Sequence, residues 1–146
     1  MQNKISQLKS ALQNKVAPAM ATPLEEDGYT VNTAVIPELV NFLAKRGTGG
    51  LFVGGTTGEG ILLSTAERMQ LHEETVTAAA GRFSAILHVG ANRMDTAVTL
   101  AQHAADIGAA AIAAVPPYFY DIHDGALLDY YQMLAEVAPE TPLLLY

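Results

Sequence analysis

Apolar positions along this chain switch repeatedly between two periods. Short continuous apolar runs, the pattern of strands buried on both faces, fall at residues 16–21, 51–54, 85–90, 110–115 and 142–146. Longer stretches with apolar residues three and four apart fall between them, at 34–46, 65–80, 94–107 and 125–138. The opening segment, 1–14, reads as a further helix, with Ile5, Leu8 and Leu12 at helical spacing. Strands alternating with helices of this length predict βαβ units and a parallel sheet.

The punctuation agrees with this division. Ser64 followed by Glu67 forms a capping box, while Asn32 and Asn92 stand where N-caps are expected. Gly47, Gly81 and Gly108 follow helix ends, where a left-handed residue turns the chain into the next strand. The connections after strands are longer than those after helices, as in barrels whose functional loops gather at one face. No linker or low-complexity stretch interrupts the pattern, so residues 1–146 read as a single domain. Pattern alone leaves two arrangements open, a partial barrel and a small open sheet.

Composition removes several classes of function. Half the residues are hydrophobic, which excludes a disordered chain, and the net charge of −7 with scattered basic residues argues against nucleic acid. The absence of cysteine excludes disulfides, thiolate metal sites and a cysteine nucleophile. No run approaches the roughly 20 apolar residues of a membrane span, and the first residues lack a signal-peptide core. A soluble, cytoplasmic protein is expected.

The strongest local signal is residues 51–59, where an apolar strand enters Gly54-Gly55-Thr56-Thr57-Gly58-Glu59 ahead of a capped helix. Glycines let backbone amides turn toward a concavity, and neighbouring hydroxyls can donate to a carboxylate, so the loop is built to hold an anion. It is neither a Walker loop nor a dinucleotide fingerprint. The competing reading is a turn whose threonines only satisfy nearby backbone. Glu59 is either a general acid/base or a buttress of that turn. His72 and His103 fall on predicted helices and read as surface residues, and His88, near a strand end, as a satisfied core histidine. His123, beside Asp121 and Asp124, reads as helix capping rather than metal ligation. The aromatic stretch Tyr118, Phe119, Tyr120 with Tyr130 and Tyr131 reads as packing or an oligomer interface.

Taken in order, these motifs resemble the N-acetylneuraminate lyase/dihydrodipicolinate synthase family of class I aldolases. Ala21-Thr22-Pro23 with Asp27-Gly28, the loop 54–59, His88-Val89-Gly90-Ala91-Asn92, Val115-Pro116-Pro117-Tyr118 and Leu144-Leu145-Tyr146 resemble successive strand ends of that family. The resemblance implies an α/β fold, the (βα)4 half of a TIM (βα)8 barrel with an N-terminal helix and a fifth strand; a whole barrel takes about 250 residues. It implies that Thr56 and Thr57, with Gly55, hold the carboxylate of pyruvate or another 2-keto acid, and that Tyr146 transfers protons beside a Schiff base. No cofactor and no metal are implied.

The family's imine lysine, on the sixth strand, has no counterpart among Lys4, Lys9, Lys15 and Lys45. The chain is thus expected to be a fragment or half-barrel homologue, cut before that lysine and inactive alone. Phe119 stands where the family has the tyrosine of a hydroxyl relay, which puts relay chemistry in doubt. A half-barrel exposes strand edges and one sheet face, so self-association to a homodimer or higher is expected. The alternative is a structural or assembly unit with no small-molecule role.

Overall fold

The computed structural model describes residues 2–146; Met1, placed at the start of the leading helix by its sequence, lies outside the described residues. The elements follow in the order α1 (Gln2–Leu12), α2 (Ile36–Ala44), β1 (Gly50–Val53), α3 (Thr65–Ala79), β2 (Ser84–His88), α4 (Met94–Asp106), β3 (Ala111–Ala114), α5 (Asp124–Val137) and β4 (Leu143–Leu145). A short 3-10 turn, Thr33–Val35, precedes α2. The four strands are parallel and lie in sequence order, with Phe52 opposite Ile86, Ile86 opposite Ala111 and Ala113 opposite Leu144.

Strand side chains alternate between two faces, and each face has a different cover. Leu51, Val53, Ala85, Leu87, Ile112 and Ala114 join the main core beneath α2–α5. Ile86, Ala111 and Ala113 face the other way, where Phe52, Leu144 and, from α1, Leu8 and Leu12 pack against them. The leading helix therefore covers part of the sheet face that a half-barrel was expected to leave open. Small alanines on β3 let that helix approach closely.

The predicted strand at 16–21 is reduced to a single parallel bridge, Ala19 to Phe52. Phe52 donates its amide to the Pro18 carbonyl at 2.9 Å and Met20 donates back to Phe52 at 2.8 Å, so the segment does run beside β1. Pro18 has no N–H to give, and the ladder lapses there. The remaining strands and helices appear where the periodicity placed them.

The caps divide between the two outcomes. The Ser64–Glu67 capping box is present in full, with the Glu67 carboxylate accepting from the Ser64 amide at 2.8 Å. Gly47, Gly81 and Gly108 have φ of +76°, +70° and +81°, as helix exits require. Asn92 does not cap α4: Arg93 takes that position, and the Asn92 side-chain oxygen instead accepts from the Tyr118 amide at 2.8 Å. Asn32 sits at the start of the 3-10 turn but makes no side-chain cap. Among the described residues no helix is long and apolar enough to cross a membrane.

Candidate functional site

The carboxyl ends of the strands open into long connections, residues 54–64, 89–93 and 115–123, whereas the amino ends receive short ones such as 80–83 and 107–110. Polar chemistry collects at the carboxyl ends. After Val53, Gly54 adopts φ +70° and the chain folds into consecutive tight turns, with Gly60 N–H donating to the Gly55 carbonyl at 3.2 Å and Glu59 N–H to the Thr56 carbonyl at 3.1 Å. The loop is so closely wound that a side chain at position 60 would lie 1.9 Å from the Gly54 carbonyl oxygen. Thr22, in the segment before β1, donates its hydroxyl to the Gly58 carbonyl at 2.6 Å and anchors the loop from outside. Sequence reading placed Thr22 in a motif without giving it this task.

Thr56 and Thr57 are both exposed, and among the described residues neither hydroxyl has an intramolecular hydrogen bond. That removes the reading in which these threonines only satisfy backbone. Gly55 and Thr56 line a cleft of about 360 Å³ together with Gly54, Arg68, His88, Gly90 and Asn92, while Thr57 lies outside its lining. Glu59 is exposed in the left-handed region, φ +51°, and points to neither a partner nor the cleft. Its backbone takes part in the turn, donating to the Thr56 carbonyl and accepting from the Leu62 amide at 2.8 Å.

Tyr146 follows β4 and its amide donates to the Ala114 carbonyl at 3.1 Å. Although 61% exposed, its ring meets Phe52 edge-on at 5.6 Å and His88 at 6.4 Å between centroids. The structure thus brings the last residue, β1 and β2 together on the inner face, a few residues from the glycine loop.

Beneath the cleft sits a group that sequence reading passed over. Arg68, on α3, is 4% exposed and donates to the carbonyls of Gly90 at 3.0 Å and His88 at 2.7 Å. Burial lowers its pKa to about 10, which leaves it a cation at neutral pH. The signal was available: Arg68, Leu71, His72, Thr75 and Ala79 share one helical face, and all are buried. His72 is therefore not a surface residue as expected; it is fully buried, with both ring nitrogens unpaired among the described residues. His103 is mostly covered too, its Nε2 3.3 Å from both the Met69 carbonyl and Glu73. His88 is a core histidine, as expected, and its pKa falls to about 4 through burial and the neighbouring Arg68 charge.

His123 caps α5, its Nδ1 accepting from the Ala126 amide at 3.1 Å, and no metal-binding cluster occurs among the described residues. The aromatic stretch splits. Tyr130 and Tyr131 pack inward, with Tyr131 donating to the Ala114 carbonyl at 3.1 Å and Tyr130 accepting from the Ala91 amide at 3.2 Å. Phe119 is 86% exposed at φ +86°, an uncommon backbone for an aromatic residue, and it stacks edge-on with Tyr120.

Comparison with known proteins places this arrangement. Residues 12–146 match the family described as the dihydrodipicolinate synthetase family. The N-acetylneuraminate lyase of Rattus norvegicus is 40% identical over 141 residues, covering 94% of this chain and 43% of the rat protein. A catalytic-lysine mutant of the Ruminococcus gnavus sialic acid aldolase superposes with a TM-score of 0.89 at 28% identity, covering 94% of this chain and 44% of its own. A chloride-inhibited dihydrodipicolinate synthase from Acinetobacter baumannii in complex with pyruvate gives a TM-score of 0.82 at 33% identity, with coverages of 90% and 45%. The chain spans less than half the length of these relatives, and its fold corresponds to the N-terminal part of their barrels.

Proposed function

We propose a function that follows from one fact: the chain belongs to the dihydrodipicolinate synthetase family. Within it, the loop 54–59 binds the carboxylate of pyruvate or a related 2-keto acid, and the chain is the substrate-anchoring half of an aldolase or lyase. The observation that carries this reading is the pair of free hydroxyls on Thr56 and Thr57, held on a tightly wound glycine turn at the carboxyl ends of parallel strands. Donors fixed before the ligand arrives lose little freedom on binding. Tyr146, perpendicular to the His88 ring, stands where a phenol can exchange a proton with a bound keto acid.

Affinity of the chain alone is set by hydroxyl and amide donors without a covalent bond to the keto carbon, and should be weak, with a Kd on the order of 1 mM. Titration with pyruvate, followed through backbone amide shifts, is expected to move Gly55, Thr56 and Thr57. Shifts confined to other segments, or unchanged in a Thr56→Val/Thr57→Val double variant, would remove the loop from this role.

Self-association accompanies this reading. Among the described residues β4 pairs only with β3, leaving Leu143–Leu145 as a free edge, and Leu145 and Tyr146 are exposed. Because α1 already covers part of the inner face, the drive to associate comes from these edges and from exposed Phe119, Tyr120, Ile61 and Leu62. Sedimentation equilibrium at micromolar concentration is expected to give at least twice the chain mass of 15.5 kDa. A cooperative monomer would show that one chain covers its own surface adequately.

A further inference from the structure

Arg68 combines features that work against stability. It is buried, it is charged at neutral pH, and among the described residues no carboxylate pairs with it. Its partners are neutral: the Gly90 and His88 carbonyls at 3.0 and 2.7 Å, and the His88 Nδ1 at 3.2 Å. Its Nε is buried with no partner among the described residues. Carbonyl dipoles solvate a guanidinium but leave its net charge in place, and a buried charge is costly unless paired. Arg68 is also the fourth residue of α3, near the positive end of the helix dipole, where a cation is disfavoured.

The cleft that Arg68 lines has the complementary gap. Two cations, Arg68 and Arg93, and no carboxylate among the described residues contribute to its lining. Arg93 is neutralised by its ion pair with Asp95, and both side chains are exposed. His88, the other titratable group beside Arg68, is uncharged at neutral pH. In a chain of net charge −7, the cleft beside Gly55 and Thr56 thus keeps one uncancelled positive charge. A charge set in low-dielectric walls focuses its field into the cleft.

We propose that Arg68 determines the charge of the ligand this cleft accepts: its buried guanidinium acts through space on a carboxylate held at Gly55 and Thr56. Nη1 and Nη2 are committed to the backbone at Gly90 and His88, so the cation is fixed in place and does not swing onto the ligand. Hydroxyl and amide donors serve a neutral carbonyl oxygen as well as a carboxylate, and alone they separate an acid from its amide poorly. A fixed cation separates them by charge. The inference rests on the 2-keto-acid reading of the loop and adds the residue that sets its preference for an anion.

Titrations followed through the Gly55 and Thr56 amide shifts compare pyruvate with pyruvamide, its neutral counterpart, in the parent, Arg68→Gln and Arg68→Lys. The parent is expected to favour pyruvate by about tenfold or more, the scale of one charge felt across a cleft. Glutamine should lose that preference, with pyruvate weakened about tenfold and pyruvamide within about twofold of the parent. Lysine, which keeps the charge, should keep the preference. A purely structural role would weaken both ligands together; that result, or an unchanged preference in glutamine, overturns the proposal. Should the glutamine variant fail to fold, lysine decides: a retained preference supports the proposal, and equal binding of acid and amide overturns it. Acetate and acetamide, which lack the keto group, separate the two failures. A parent that prefers acetate to acetamide but binds no pyruvate sinks only the keto-acid reading. Pyruvate and pyruvamide bound alike sink only this inference, and a parent that binds neither acid sinks both.

Discussion

Borohydride reduction of this chain in the presence of pyruvate is expected to leave its mass unchanged. An imine needs a neutral amine within reach of the keto carbon, and the imine is the electron sink on which carbanion chemistry depends. The chain has four lysines, and the fold puts all of them at the wrong end of the sheet. Lys4 shares a recess with Ser84 and Ala110, at the amino ends of β2 and β3, and Lys9 a groove with Pro142 and Leu143 at the start of β4. Lys15 lies against Gly49, just before β1, and Lys45 caps the end of α2 on the way to the same strand. Thr56, His88 and Tyr146 all stand at the carboxyl ends. Intact-mass measurement after reduction checks the expectation. One reduced adduct per chain, mapping to a single lysine, would mean that an amine reaches the loop after all and that the chain supports imine formation alone.

The contrast between what was legible in the sequence and what was not has a physical cause. Period and caps are local: the apolar runs and the Ser64–Glu67 box specify their elements through near neighbours, and those elements appear as expected. The segment 16–21 has the apolarity of a strand, but a ladder needs donors as well, and Pro18 withholds one. The glycine loop was visible because its residue types are rare in combination. Its anchor from outside, the Thr22 hydroxyl on the Gly58 carbonyl, joins residues 36 apart and is not a local pattern. Arg68 and His72 were hidden for a related reason. Polar side chains on a helix default to its exposed face, and only packing against β1 and β2 shows that this stripe points inward.

That inward stripe leads to the second large effect, at His72. Replacement of His72 by leucine is expected to stabilise the protein, which reverses the usual result of changing a fully buried residue. The residue is 0% exposed, and neither of its ring nitrogens has a hydrogen-bond partner among the described residues. An unpaired buried polar group costs about 1–3 kcal/mol, and an apolar side chain of similar size removes that cost. At neutral pH the gain should therefore be about 1–3 kcal/mol. Acid enlarges it. Burial, then the nearby Arg68 charge, lowers the His72 pKa from 6.5 to about 3. A histidine whose folded pKa is depressed supports the native state fully above 6.5 and loses that support as pH falls toward 3, because the unfolded chain takes up the proton first. Each pH unit in that window costs roughly 1.4 kcal/mol per such histidine. His88 adds a second proton over the narrower range from 6.5 to about 4, so the parent protein should lose stability with twice the slope of the His72→Leu variant there. Urea unfolding of both proteins, at neutral pH and about two units lower, measures the difference. A leucine variant less stable than its parent at neutral pH would show that the ring nitrogens are satisfied within the fold.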